Sequence, residues 1–595
     1  MKNFIKLIVL LFLFTSCEDL FSPALENNRG LDANMYKEPM YAQGILANAY
    51  VLLPYSGSPE SDLATDDAVS NDNFNQYLRM ATGSWSASSN PVSQWQSRRN
   101  AIQYINIFLA NVDSVIWSKD ASVRKMYSDR LKGEAYGLRA LHTYSLLKAH
   151  GGWTEDGRLM GIPLLTEPET PSSDFNYPRS TFQAGLDFVF EDISKALALL
   201  PVDYEDISSD AQIPEAYKTL EGIGHSDYNR VNGKIFRGRI SGRIVEAIRA
   251  QVALLAASPA FSEGTDVTWD DAANYAAAVI NRIGGISGLA SNGGTWYVGG
   301  QVNSLEAGVN PAEIIWRSDV GQSLNLEREN FPPSIYGNGR VNPTQNLVDA
   351  FPMVNGYPIS DPASTFNADD PYANRDPRLA RYIVINESQQ GPNNSVIVTG
   401  TYGTNNDAIN RENGRSTRTG YYLRKLLRSD VNPNPNFNTQ QKHYTARIRY
   451  TELFLTYAEA ANEAWGPTGT GGNAYSAYDV VRAIRQRAGV GASNNDAYLA
   501  SIQNDQDKMR DLIRNERRLE LCFENHRFWD LRRWKVNLEK LNETARGLQI
   551  SKSGNVTSYT PINVETRLYR DHMYYGPIPY TEVLKWSELK QNAGW

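Results

Sequence analysis

The chain has 595 residues, with 59 Lys and Arg against 66 Asp and Glu and a formal charge of −7. The basic residues are dispersed, which argues against a nucleic-acid partner. Cys17 and Cys522 are its two cysteines, too few for a disulfide framework, so stability has to come from a large packed core.

At the start, Lys2 and Lys6 accompany an almost wholly apolar run over 5–14, followed at once by Thr15-Ser16-Cys17. That order predicts a signal peptide over 1–16, too short to span a bilayer. A cysteine behind two small residues resembles a bacterial lipobox, although Phe14 stands where Leu is commoner. The resemblance implies a lipid on Cys17 and a lipidated linker over 17–40. Buried methylenes contribute roughly 0.8 kcal/mol each, so several acyl chains would hold the protein at a membrane. Glu18 and Asp19 resemble a surface-export signal. No later stretch reaches ~18 consecutive apolar residues.

Helical periodicity then recurs. Val245, Ile248, Val252 and Leu255 share one face, thinned by Ala247, Ala250, Ala253 and Ala256, and Ser258-Pro259 ends it. Tyr450, Leu453, Phe454, Tyr457, Ala458 and Ala461 repeat at i, i+3, i+4, i+7, i+8 and i+11. Further helices are predicted at 95–115, 124–149, 180–199, 269–283, 474–488 and 506–520. About four helix pairs result. They predict a mostly α fold: a tetratricopeptide-like helix-pair solenoid with long irregular loops and a few short strands. The loops 18–94, 150–179, 202–240, 284–345, 354–442 and 536–590 are rich in Gly, Asn, Pro and Ser, and binding residues concentrate on such segments.

Two loops carry aromatics among small or amide residues. Ser291-Asn-Gly-Gly-Thr-Trp-Tyr-Val-Gly-Gly300 is expected to project Trp296 and Tyr297 outward. Thr399-Gly-Thr-Tyr-Gly-Thr-Asn-Asn406 sets Tyr402 among amides, with Arg375 a weaker neighbour. Trp95 opens a helix and is assigned to the core.

An ordered set of segments resembles the SusD/RagB family of surface glycan-binding lipoproteins. It includes Gly133-Glu-Ala-Tyr-Gly-Leu-Arg-Ala140, Gly151-Gly152 with Ile162-Pro-Leu164, the helix from Gly242 that ends in Ser258-Pro259, and Pro343-Thr-Gln-Asn-Leu-Val-Asp-Ala-Phe351. Arg375-Asp-Pro-Arg378, Tyr457-Ala-Glu-Ala460, Arg514-Asn-Glu-Arg-Arg-Leu-Glu520, Arg527-Phe-Trp-Asp-Leu-Arg-Arg-Trp534, Pro577-Ile-Pro579 and Gln591-Asn-Ala-Gly-Trp595 complete it. Departures are the turn His150-Gly-Gly-Trp153, which reaches Ile162-Pro163 after an insertion, and Ala593 where Pro is usual. The resemblance implies an N-terminal helical part over 41–265 and a C-terminal part over 266–595, packed as one body. It implies sugar contacts from the segment 66–90, hence Asp67, Asn73, Tyr77 and Trp85. It also implies a SusC-like TonB-dependent transporter as partner, an oligosaccharide ligand, and an outer-membrane, cell-surface location through the lipid.

The charged run Arg514, Glu516, Arg517, Arg518 and Glu520 reads as a salt-bridged scaffold. Asp376 and Arg378 read as a turn lock, His142 as packed or capping, and Cys522 as an inert buried thiol. The six histidines lack metal-ligand spacing, and no nucleophile elbow or P-loop occurs. No cofactor is expected, save a structural calcium at Asp361, Asn367, Asp369 and Asp370. The expected role is non-catalytic capture of oligosaccharide for delivery to the transporter, capping it as a lid. The alternatives are peptide cargo in the same role, or a surface glycoside hydrolase.

Overall fold

The computed structural model describes residues 38–595; the signal peptide predicted over 1–16 and the predicted lipid site Cys17 lie outside the described residues. The fold is mostly helical. Its long helices are α1 (Pro39–Val51), α2 (Trp95–Asn111), α3 (Ala121–His150), α4 (Phe182–Leu199), α5 (Gly242–Ala257), α6 (Trp269–Asn281), α7 (Tyr450–Trp465), α8 (Ala477–Ala488), α9 (Gln506–Leu521) and the shorter α10 (Arg527–Arg533). Every helix predicted from periodicity is present. Their starts are chemical: Asp120 accepts from the Val123 N–H at 2.8 Å to open α3, and Ser476 with Asp479 forms a capping box on α8. Such caps contribute about 1 kcal/mol each. Gly489, at φ 87°, turns the chain out of α8 in the left-handed region that favours glycine.

From α1 to α7, helices that follow one another in the chain lie against one another, and α7 also meets α8 and α9. The alanines of α5 permit the close approach: Ala247, Ala250, Ala253 and Ala256 are fully buried. One cluster of buried apolar side chains runs from Ala42 to Leu589, and a second, containing Phe331, Leu347, Tyr421 and Leu548, lies under the loops.

The strands form antiparallel pairs. Those that matter here are β1 (Ala68–Ser70), β2 (Ile314–Arg317), β3 (Gly321–Ser323), β4 (Val341–Pro343), β5 (Gln441–His443), β6 (Ala446–Arg449), β7 (Ala545–Ser553) and β8 (Val556–Glu565). β1 pairs with β4, β2 with β6, β3 with β5, and β7 with β8. Two loop expectations are corrected. Helix α1 falls largely in a segment read as loop, because Gly44 and Asn48 interrupt its apolar pattern. The segment 536–590 contains the β7–β8 hairpin.

The charged run of α9 is a buried ion network, and its partners come from other elements rather than from its own helix. Arg378 reaches Asp376 at 2.7 Å, Glu516 at 2.8 Å and Glu520 at 3.0 Å. Arg485 reaches Asp496 at 2.6 Å and Glu516 at 2.8 Å, and Arg487 reaches Glu520 at 2.9 Å. Asp376 also accepts from the Arg378 N–H, the expected turn lock. Arg514 differs, stacking on Trp534 at 4.9 Å. His142 is buried, with Nε2 3.0 Å from the Ala49 carbonyl. The Cys522 thiol donates to the Leu519 carbonyl at 3.2 Å, and burial pushes its pKa up to about 12.

Candidate ligand-binding cavity

A cavity of about 560 Å³ opens between α3, α5, the β2–β6 pair and α10, within the range of ligand pockets. Two helix faces form its inner wall. Leu141, Tyr144, Ser145 and Lys148 lie at i, i+3, i+4 and i+7 of α3, and Gln251, Leu254 and Leu255 at i, i+3 and i+4 of α5. Tyr55, Trp296, Tyr297, Tyr444 and Trp529 add rings. The β3–β5 pair makes the rim, with Gln322 opposite Lys442 and Gly321 opposite His443. Outside it lies a polar recess of about 300 Å³ lined by Gln322, Ser323, Asn325, Arg328, Asn438 and Gln440.

A bulge shapes one side. Ala446 pairs with Arg317 and Ile448 with Trp316, so Arg447 is an extra residue in the ladder. The usual alternation of faces is broken there, and Ala446 to Arg449 all contribute to the wall. The Arg447 guanidinium lies 4.8 Å from the centre of the Trp316 ring. The Lys148 ammonium lies 5.0 Å from the Trp529 ring and 5.4 Å from Tyr144. Burial lowers its pKa to about 8, with Glu452 acting in the opposite sense.

The carboxylates of the wall differ in how they are held. Glu524 accepts from Arg449 at 2.7 Å and Lys425 at 2.6 Å. Asp530 accepts from Arg517 at 2.8 Å and Arg533 at 2.9 Å. Despite burial, these cations keep both acids at about 2. Glu452 accepts from the Gln251 amide at 2.7 Å. At the rim His443 meets Glu327 at 2.9 Å, and that contact outweighs burial and raises its pKa.

Of the residues predicted from sequence, Trp296 and Tyr297 line this cavity, but they point inward. The glycines act by close approach: a Cβ at Gly293 would meet Arg487 at 2.1 Å and one at Gly294 would meet Arg381 at 2.8 Å. The loop presses inward there, leaving Trp296 3% exposed and 5.6 Å from the Tyr444 ring. Three expectations are corrected by burial. Asp67 is fully buried and held by Arg518 at 2.6 Å. Trp85 is 4% exposed, donates to Asn90 at 3.0 Å, and packs 5.0 Å from Trp595 and 5.8 Å from Phe528. Arg375 donates to the carbonyls of Pro371 at 2.8 Å and Phe351 at 2.7 Å beneath the loop.

Asn73, Tyr77 and Tyr402 lie outside the cavity lining. Asn73 is exposed, and the half-buried Tyr77 donates to the Pro91 carbonyl at 3.3 Å. Tyr402 donates to Glu387 at 2.9 Å and lies under Lys552 at 4.5 Å. Asp361 and Asn367 accept from backbone N–H groups of their own turns. Among the described residues no group of three or more His, Cys, Asp and Glu could hold a metal. The residues missed from sequence are Tyr55, Tyr144, Lys148, Tyr444, Arg447 and Trp529. The one local sign was a lysine and a tyrosine on the stripe of α3 that turns inward.

A family profile described as "SusD family" matches residues 312–595. A second, described as "Starch-binding associating with outer membrane", matches 31–220. A SusD-like protein of Formosa agariphila is 24% identical over 457 residues, covering 75% of this chain and 72% of its own length. A SusD-like protein structure from Bacteroides fragilis superposes with a TM-score of 0.70 at 23% identity, covering 94% of this chain and 98% of its own. A SusD-like carbohydrate-binding protein from the same species gives a TM-score of 0.67 at 20% identity, over 93% and 100% of the two chains.

Proposed function

Because the chain belongs to the SusD/RagB family, we propose that it is a non-catalytic, lipid-anchored surface protein. It captures oligosaccharide and passes it to a SusC-like TonB-dependent transporter of the outer membrane, capping that barrel as a lid. The cavity carries this reading: seven aromatic side chains, Phe523 among them, around about 560 Å³, continued outward by an amide-rich recess. Sugar rings offer apolar faces for stacking, and their hydroxyls exchange hydrogen bonds with amides and with water. The resulting affinity is modest. Trapping between lid and barrel compensates for that, since cargo need not stay bound to the lid alone.

Binding without turnover is supported by the state of two wall acids. A glycosidase needs one carboxyl to hold a proton near neutral pH and a second, ionised one at a set separation. Glu524 and Asp530 are ionised and hydrogen-bonded by Arg and Lys, with pKa values of about 2, so neither is a proton donor. A glycan array followed by calorimetry tests the reading. Binding of a glycan that is recovered intact is the expected result. Shorter products from the purified protein would make it a hydrolase, and binding of peptides alone would assign it peptide cargo. Recovery of the transporter with the lipidated protein from outer membranes tests the partner.

A further inference from the structure

The polar groups of the cavity wall are unequally partnered. Lys148 and Arg447 contact rings and make neither a hydrogen bond nor an ion pair. Both side chains are half-buried; the Tyr55 hydroxyl, the Trp296 Nε1–H and the Arg517 Nη1 group are fully buried without a hydrogen-bond partner. All of these are donors, and two of them carry full positive charge on otherwise unpaired side chains. Glu452 stands against them as a wall acid held by a single amide. Asp319 is exposed at the rim, where solvent screens it. An unpaired cation in a ring-lined wall is costly unless something anionic meets it. Cation–π contact offsets part of that cost and leaves the hydrogen-bond donors of both groups unused.

We propose that the cavity takes a negatively charged sugar, its carboxylate or sulfate ester set against Lys148 and Arg447. This deepens the glycan-binding reading and rests on it. The rings hold the sugar faces, the two cations hold the anionic substituent, and the amides of the rim take the hydroxyls of the units that follow. The bulge at Arg447 has a purpose on this account: it brings that residue into the wall of the cavity that Lys148 of α3 also lines.

The test is calorimetric titration of the purified protein with matched pairs. Oligogalacturonate is compared with its carboxyl-reduced form, and a sulfated galactan oligosaccharide with its desulfated form; a neutral glycan panel and a peptide mixture complete the set. At least one charged member is expected to bind tenfold or more tighter than its neutral counterpart, and which pair responds separates carboxylate from sulfate. Lys148→Met and Arg447→Met are each expected to erase that margin, bringing the charged member down to the affinity of its neutral counterpart. Lys148→Met is also expected to raise the denaturation midpoint, because burial disfavours the ammonium it removes; Lys148→Gln is the second variant if Met impairs folding. Equal affinity within the pairs, binding confined to neutral glycans, or variants that keep the margin would overturn the charge assignment and leave the glycan reading intact. Binding of peptides alone, or of nothing, would overturn both.

Discussion

The ion network around α9 and the cavity wall beside it use the same side chains in opposite ways. Arg378 and Arg485 are fully buried, yet their guanidinium groups face carboxylates at 2.6–3.0 Å. Lys148 and Arg447 face rings and open volume. Arg449 and Glu524 belong to both regions, lining the cavity while paired to each other at 2.7 Å. The contrast teaches where to look for function in a chain crowded with buried charge. A saturated charge holds elements together; an unsaturated one that also faces open volume is placed to meet a ligand.

Acid should break the saturated region most severely. Glu520, Glu524 and Asp530 sit at about 2 in the fold, below their ordinary values. Folding lowers these pKa values, so their contribution is complete above about pH 4.5 and lost as pH falls toward 2. Burial also depresses His142 to about 3 and His150 to about 4, which adds a loss that begins below about pH 6.5. Thermal melts from pH 8 to 2 should therefore show a midpoint that declines from about pH 6.5 and collapses below about 4. A flat profile to pH 3 would show that the network contributes nothing.

Single substitutions sharpen the comparison. Glu516→Ala leaves Arg378 and Arg485 short of a partner and should cost about 3–5 kcal/mol in urea denaturation. A cost under about 1 kcal/mol, the range of exposed ion pairs, would erase the distinction drawn here. Trp85→Ala should cost a similar amount of stability, about 3–5 kcal/mol, while the folded protein binds its best glycan unchanged. Trp529→Ala should do the reverse. Binding should weaken by about 1–2 kcal/mol, roughly tenfold or somewhat more, with a smaller effect on folding. The smallest effect is expected from Tyr55→Phe. It removes a buried hydroxyl that has no partner, so stability should hold or rise while glycan affinity drops by about 0.5–1.5 kcal/mol. A destabilised Tyr55→Phe would mean that the hydroxyl has a structural partner after all.

The helices were legible because each carries its own signal. The stripe of α7 and the alanines of α5 declare both helix and buried face over a dozen residues. The cavity was not legible, because it gathers Tyr55, Lys148, Trp296, Tyr444 and Trp529 from separate parts of the chain. Trp85 looked exposed among Gly, Ser and Asn, yet Phe528 and Trp595 close over it from the far end of the chain. Asp67 looked available until Arg518 of α9 reached it. In each case local composition was read correctly as polar or aromatic, and the deciding partner lay hundreds of residues away.

The burial of Cys522 has a practical consequence. The residue is 1% exposed and its thiol resists ionisation near neutral pH, so maleimide should pass it by. In a chain begun after Cys17, a cysteine introduced at exposed Gln322 would then be the one site to accept a dye, with no native thiol to mutate. A fluorophore placed there could report, in real time, how the mouth responds when a glycan is added.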